Sequence, residues 1–385
     1  MNDSTQDTER QENLRMLRES AQSFAAKESP LTRARALRGT PSGFDRGFWG
    51  QIAEQGWTGL LVPETADGYG QGFAEMAAVV DALATQVAPE PMTPALVFAS
   101  RLIQHSGDGE LQTQLLSRIA AGELIPAVAW QEAVAAHQID LTATRTTTSS
   151  AGGKLQLSGE KHHLRPGADS DGFIVSAVDA AGEQLLLWVP ADTAGIAVAT
   201  APLADGCGAA RVRFDKATIA ADHCLARGAK AVQALTRAYD EALVMTGVEL
   251  LALQRAMLSM TLEYLRTRKQ FGKPIGGFQA LQHRAVDLHI QQELTASVVG
   301  QAIELLDGDA PDAERSAMAS RVKARAADAG LLIAREAVQL HGAIGFTDEY
   351  DLGLYLQRAL VLSAWLGNAQ TQRRRYAALT RPTNA

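Results

Sequence analysis

The hydrophobic period of this chain changes twice, and that change limits its fold more than any other feature. From about residue 12 to residue 121 apolar side chains recur every three or four positions, as in Leu14, Leu17, Ala21 and Phe24, and again in Met76, Val79, Val80 and Leu83. That spacing gives a helix one apolar face. After Ile125-Pro126 the texture turns to Gly, Ser, Thr and short alternating or β-branched runs at 155–157, 173–178, 185–189, 196–198 and 212–214, which read as strands. From Ala231 onward the helical period returns over 231–266, 279–305 and 312–341, interrupted at Gly272-Lys273-Pro274 and from Gly308 to Pro311. Breaks at Ser29-Pro30, Thr40-Pro41, Val62-Pro63-Glu64 through Gly70, and Pro89, Pro91 and Pro94 separate helices rather than domains. The expectation is three segments: helical over 1–125, β over 126–230 and a helical bundle over 231–385.

A chain of 385 residues that is 46% hydrophobic and 21% charged can bury a sizeable core. Its 36 Lys and Arg against 43 Asp and Glu leave a net charge of −7, which gives no general attraction for nucleic acid or anionic lipid. The two cysteines, Cys207 and Cys224, form no CxxC, and the eight histidines are scattered, so neither a disulfide framework nor a metal site is expected. No run approaches ~18 uninterrupted apolar residues. The start, MNDSTQDTER, is polar. A cytoplasmic protein without a membrane span or secretory signal is the expectation.

Two segments carry candidate chemistry. Arg266-Thr267-Arg268-Lys269-Gln270-Phe271-Gly272-Lys273-Pro274 places four cations between one long helix and the next, which begins near Phe278-Gln279 and Gln282. A basic helix end that complements the helix dipole and a phosphate clamp are both open readings. Gln339-Leu340-His341-Gly342-Ala343-Ile344-Gly345 ends a helix in Gly-rich backbone, which serves as a helix cap or permits close approach of a ligand.

Together these segments resemble the acyl-CoA dehydrogenase family, with its RxxFG…Q helix junction and QxxGGxG turn. Phe48-Trp49, Gly56-Trp57-Thr58-Gly59-Leu60, Val62-Pro63-Glu64 and Gly68-Tyr69-Gly70 are similar to that family's first helical domain. The resemblance covers nearly the whole chain. It implies a mainly α fold with a central β-barrel domain, an N-terminal helical domain and a C-terminal four-helix bundle, assembled as a dimer of dimers around FAD. It implies oxidation of an acyl-CoA thioester across Cα and Cβ, with the flavin as hydride acceptor and electron-transfer flavoprotein as the next acceptor. It also implies cofactor contacts from Arg268, Gln270, Phe271, Gln279, Gln339, Gly342 and Gln370, with Ala343 replacing one glycine.

The chain departs from the family where the family does chemistry. The base there is a carboxylate, either in a YEGT-like motif near the C-terminus or on the first helix of the bundle. The matching positions here are Leu366, within Trp365-Leu366-Gly367-Asn368-Ala369-Gln370, and Ala242. Neither side chain accepts a proton. Glu241 and Glu249 are the substitutes at hand, although Glu241 points about 100° away from Ala242 and Glu249 lies about 10 Å along the helix. The alternative is that Asp240, Glu241 and Glu249 lie on a solvated or interface face. The family's flavin-binding TEPxAGSD-like loop reads Val128-Ala129-Trp130-Gln131-Glu132-Ala133-Val134-Ala135-Ala136-His137, and its WIT-like motif reads His163-Leu164-Arg165 after Gly159-Glu160-Lys161-His162.

The losses fall on the segments that hold the flavin ring within one subunit. The retained segments are those that touch the adenine and pyrophosphate of a neighbour's cofactor. The resemblance therefore implies a base-deficient subunit that completes the FAD site of a base-bearing partner in a heterotetramer. Bulky CoA thioesters, such as steroid fragments, are the implied substrates. Two alternatives remain at this point: an autonomous homo-oligomer that binds FAD through Trp130, Gln131, His163 and Arg165 with an unusual base, and a non-redox acyl-CoA-binding or scaffold protein.

Overall fold

The computed structural model describes residues 2–132, 141, 146–151, 154–167 and 169–381. Six helices come first: α1 (Asn2–Glu28), α2 (Leu31–Leu37), α3 (Arg46–Glu54), α4 (Phe73–Thr85), α5 (Ser100–Ser106) and α6 (Glu110–Ala120). Pro91 precedes a fully buried π-helical stretch, Met92–Ala99, that runs directly into α5. Eight strands follow: β1 (Pro126–Ala129), β2 (Thr147–Ala151), β3 (Lys154–Leu164), β4 (Gly172–Val178), β5 (Gln184–Pro190), β6 (Ile196–Pro202), β7 (Gly208–Ile219) and β8 (Cys224–Arg227). Next are α7 (Gly228–Thr267), the two-residue strands β9 (Lys269–Gln270) and β10 (Lys273–Pro274), and then α8 (Gln279–Asp307), α9 (Asp312–His341), α10 (Leu352–Ala364) and α11 (Ala369–Thr380). The predicted strands and the three long C-terminal helices all form.

The chain divides into two compact units. One comprises residues 37–76 and 89–242, the other residues 1–36, 77–88 and 243–385. The first unit is organised by a single mixed sheet in the order β6-β7-β3-β2-β4-β5-β8, with β1 added in parallel to β4. Alternation along β7 buries Ala210, Val212 and Phe214. These meet Leu157 of β3, Phe173 and Val175 of β4 and Leu185, Leu187 and Val189 of β5 in one apolar layer. The expected barrel is corrected here: among the described residues no pairing joins β8 to β6, so the sheet has two open ends. Its outer strands explain why. β6 is exposed along nearly its whole length and ends in Pro202, which has no N–H to donate, and β8 is only four residues long.

The second unit is helical. Alanines on α9 (Ala326, Ala327, Ala334, Ala337) let its backbone approach its neighbours, and Leu250, Leu253 and Met257 of α7, Leu352, Tyr355 and Leu362 of α10 and Leu288 of α8 fill the space around them. By length and composition alone α7 could cross a membrane, but 72% of its most apolar stretch is buried inside the fold, as in the core helix of a globular protein.

Candidate cofactor clamp and base positions

The α7–α8 junction is a tight hairpin. Gln270 pairs with Lys273, and the two residues between them, Phe271 (φ 50°) and Gly272 (φ 80°), both take left-handed backbone. That is the geometry of a two-residue type I′ turn, and it explains why Gly follows Phe. The Phe271 ring stands 89% exposed, edge-on to Phe278 at 6.1 Å, and Lys273 Nζ lies 4.3 Å over the Phe278 ring. The junction is tied back on itself, because Ile275 N donates to Arg268 O at 2.8 Å and Gln282 Nε2 donates to Gly276 O at 2.8 Å. Arg266, Arg268, Lys269 and Lys273 are exposed, and none forms an ion pair with a described residue.

The end of α9 belongs to the same neighbourhood. His341 is buried between Tyr264 of α7 and Tyr350, with ring centroids 4.6 and 5.1 Å away, and its Nδ1 lies 2.7 Å from Ala337 O. Burial pushes the pKa of this imidazole down, and the ring packs as an aromatic wedge between Tyr264 and Tyr350. Gly342 follows at φ 66°, ψ −140°, a conformation open only to glycine. Gly345 is required for another reason, since a Cβ there would stand 3.0 Å from Val338 O. Six of the seven predicted cofactor contacts, Arg268, Gln270, Phe271, Gln279, Gln339 and Gly342, are thus carried on two adjoining, exposed chain ends. Gln370 is not with them. It lies on the first turn of α11, beside the middle of α9, on the order of 20 Å from Gln339 along that helix.

Both base positions are apolar and closed. Ala242 is fully buried in α7, and Leu366 is 2% exposed in a left-handed turn (φ 56°) after α10. That turn is fixed from below. Lys323 Nζ donates to Ser363 O at 3.1 Å and Gly367 O at 2.9 Å, and Gln372 Nε2 donates to Leu366 O at 2.6 Å. Lys323 is wholly buried and faces carbonyls instead of a carboxylate, so burial pushes its pKa down to about 7.

The proposed substitute bases fare differently. Glu241 and Asp240 are buried, not set on a solvated face. Glu241 Oε2 accepts from Arg101 Nε at 3.0 Å, and Oε1 accepts from Arg101 Nη2 at 3.1 Å and lies 2.9 Å from His105 Nε2. Burial acts to raise its pKa, but the Arg101 charge and His105 together outweigh it and hold the carboxyl below the ordinary range. An ionised carboxylate with both oxygens engaged by cationic or ring donors is a poor general base. Glu249, further along α7, is half-buried.

In the sheet unit, the stretch aligned with the flavin loop begins with a buried ion pair. Glu132 Oε1 accepts from Lys161 Nζ at 2.7 Å and from Thr146 N and Oγ1 at 3.0 and 2.8 Å. Lys161 also donates to Ser176 Oγ at 3.0 Å, and burial lowers its pKa to about 8 against the opposing pull of Glu132. The Trp130 ring is turned inward against Tyr239, 5.6 Å away and edge-on, which withdraws it from any ligand. His163 is exposed in left-handed backbone at the end of β3, and Ala133 to His137 lie outside the described residues.

Sequence reasoning missed Arg101, His105 and Lys323. The spacing Arg101, Gln104, His105 puts three polar groups on one face of α5 and was the available signal. Lys323 had none, for lysine on a helix reads as surface.

The sequence matches the acyl-CoA dehydrogenase N-terminal domain over residues 11–123 and the acyl-CoA dehydrogenase C-terminal domain over residues 226–379. The chain belongs to the acyl-CoA dehydrogenase family. It is 28% identical over 352 residues to acyl-CoA dehydrogenase IpdE2 of Mycobacterium tuberculosis, covering 90% of this chain and 91% of that one. Among solved structures, a variant of the Tcur3481-Tcur3483 steroid ACAD superposes with a TM-score of 0.85 at 28% identity, over 96% of this chain and 97% of that one. The ChsE4-ChsE5 complex of Mycobacterium tuberculosis shares the fold, with a TM-score of 0.87 at 24% identity over 97% and 98% of the two chains.

The acyl-CoA dehydrogenase family is one of oxidoreductases that act on acyl-CoA, with FAD as cofactor. The chemistry of the α7–α8 junction fits that cofactor's pyrophosphate: four exposed cations without carboxylate partners, a Gly-bearing turn and neighbouring amide side chains at Gln270, Gln279 and Gln339.

Proposed function

We propose that this chain is the base-deficient subunit of a heteromeric, FAD-dependent acyl-CoA dehydrogenase. In this reading it lends Arg268, Gln270, Phe271, Gln279, Gln339 and Gly342 to the adenine and pyrophosphate end of a cofactor whose ring is held by a base-bearing partner. The observation that carries the reading is an asymmetry between two sets of positions. Both base positions, Leu366 and Ala242, are buried and apolar, whereas the cationic junction is exposed with its charges unspent. The Tcur3481-Tcur3483 steroid ACAD, whose designation joins two names, supports a two-chain assembly and a steroid-like CoA thioester as substrate class.

FAD, when bound, accepts the hydride from the substrate β-carbon. The guanidiniums and ammoniums of the junction neutralise pyrophosphate charge, and the wedge of His341 between Tyr264 and Tyr350 keeps the Arg268 and Gly342 ends in register. The Glu241–Arg101–His105 cluster holds its charge internally and moves no proton. The α-proton is removed by a carboxylate of the partner.

The test is the flavin-to-protein ratio of the chain purified alone and after co-expression with a base-bearing acyl-CoA dehydrogenase subunit. The expected result is a colourless protein alone and stoichiometric FAD in the complex. Stoichiometric FAD in the chain alone would replace this reading with an autonomous enzyme.

A further inference from the structure

The turn that follows α9 is held at its start by the His341 wedge and at its end by a residue more than 300 positions away in sequence, Arg35. From Gly342 to Glu349 only Gly345 is buried. The hydrogen bonds that shape the turn are local: Thr347 N donates to Ile344 O at 3.1 Å, Thr347 Oγ1 donates to the same carbonyl at 3.0 Å, and Tyr350 N donates to Thr347 O at 3.4 Å. Bonds of that range give a turn its form, but an exposed segment closed mainly on itself opens easily unless something outside it grips it.

Arg35 of α2 supplies the grip. Its Nη1 donates to Asp348 O and lies 3.6 Å from Asp348 Oδ2, and its Nη2 donates to Asp351 Oδ1 at 2.8 Å. The two arms of one planar guanidinium thus bracket Tyr350. Asp351 stands at the N-terminus of α10 in helical backbone (φ −63°, ψ −16°), and its carboxylate caps no N–H of that helix. Aspartate at a helix start ordinarily caps its own helix; this one is directed to α2. The base of the grip is firm, because Ala34 is buried in, and Leu31 packs against, the apolar core that also contains Leu352, Leu354 and Tyr355 of α10. From Tyr350 the contacts run on without a gap: its ring lies 5.1 Å from His341, His341 lies 4.6 Å from Tyr264, and Tyr264 O accepts from Arg268 N at 2.8 Å. Arg35 is therefore linked to both ends of the cofactor clamp, Gly342 and Arg268.

We propose that Arg35 is a positioning residue of the cofactor clamp: through Asp348, Asp351 and Tyr350 it sets the placement of the Gly342–Phe346 turn, and through that turn the affinity for the pyrophosphate end of FAD. Its effect on the cofactor rests on the clamp-donating role proposed above; its grip on the turn does not. The side chains of Arg35, Asp348 and Asp351 are 26%, 73% and 42% exposed, so solvent screens their ion pairs and the pairs add little to global stability. That separates placement of the turn from support of the fold.

Arg35→Met and Arg35→Lys test it in two measurements. In the full chain alone, Arg35→Met should speed amide hydrogen exchange across residues 346–353 by ~10-fold, while peptides from the middle of α9 and the thermal midpoint stay as in the parent. In the complex with a base-bearing subunit, Arg35→Met should weaken FAD binding, followed by flavin fluorescence, by ~10-fold, the factor expected if the freed turn keeps its binding geometry about a tenth of the time. Arg35→Lys restores one contact but not the fork, and should recover part of both losses. Exchange in Arg35→Met as slow as in the parent overturns the proposal outright, and so does exchange that quickens throughout the chain, which would make Arg35 a support of the fold. Faster exchange confined to the turn with unchanged FAD affinity overturns its part in the clamp. A parent complex that holds no FAD brings down the clamp-donating role and the cofactor half of the proposal with it, and the exchange rates then decide the grip on the turn by themselves.

Discussion

The two units each bury a charge on a helix, and they treat it in opposite ways. In the sheet-containing unit, Glu241 is locked to Arg101 through two hydrogen bonds and to His105 through a third, so burial does not neutralise it. In the helical unit, Lys323 is buried just as deeply but is given only the carbonyls of Ser363 and Gly367. A matched countercharge keeps one group ionised across the neutral range, whereas carbonyl dipoles leave the other poised near pH 7. The lesson bears on catalysis. A catalytic base must be buried and under-compensated, and the carboxylate that sequence reasoning offered for the task is fully compensated.

The contrast can be broken most forcefully at Arg101. Arg101→Ala strands Glu241 with His105 alone and should destabilise the chain by about 3–5 kcal/mol in urea denaturation. The double change Arg101→Met with Glu241→Leu should recover most of that loss. A single variant as stable as the parent would show that the pair is not what holds Glu241.

Lys323 sharpens the same comparison through pH. Below about 7 the amine is protonated in both folded and unfolded chains, and its burial penalty is present in full. Between there and an unfolded pKa of ~10.4 only the unfolded chain holds the proton, so stability should rise with pH, by up to about 1.4 kcal/mol per pH unit. Lys323→Met should flatten that slope between pH 7 and 9 relative to the parent. Identical slopes in the two proteins would mean the amine stays charged. Lys161, with its pKa near 8 and a carboxylate partner, should contribute a weaker slope of the same sign.

Two smaller effects separate scaffold from clamp. Gly342→Ala meets no atom within 4 Å of the new Cβ, so its cost is that of the backbone conformation alone, about 1–3 kcal/mol by thermal denaturation. Arg268→Ala removes an exposed group with no ion-pair partner and should move stability by less than ~0.5 kcal/mol. In the assembled complex the same variant should lower retained FAD, because a charge-assisted phosphate contact is gone. Unchanged flavin content would remove Arg268 from the clamp.

Much of the architecture was legible. The helices 231–266, 279–305 and 312–341 announced themselves by period, and α7, α8 and α9 end within a few residues of those limits, with Gly308 and Gly342 directly after α8 and α9. The strands were legible too, yet the closure of the sheet was not, since closure depends on whether β6 and β8 find each other and no local pattern encodes that. At the candidate site, Gly272-Lys273-Pro274 could be read as a break between helices, but the burial of Glu241 could not, because its partners lie 136 and 140 residues away.

The sequence by itself determined the order helical, β, helical, the absence of a carboxylate side chain at positions 242 and 366, and the cluster of four cations from Arg266 to Lys273, because each is a matter of local period or residue identity. Tertiary structure alone decided the protonation character of the buried groups. A glutamate and a lysine carry no mark in the chain of whether they will meet a countercharge or a carbonyl in a medium where water no longer screens the difference.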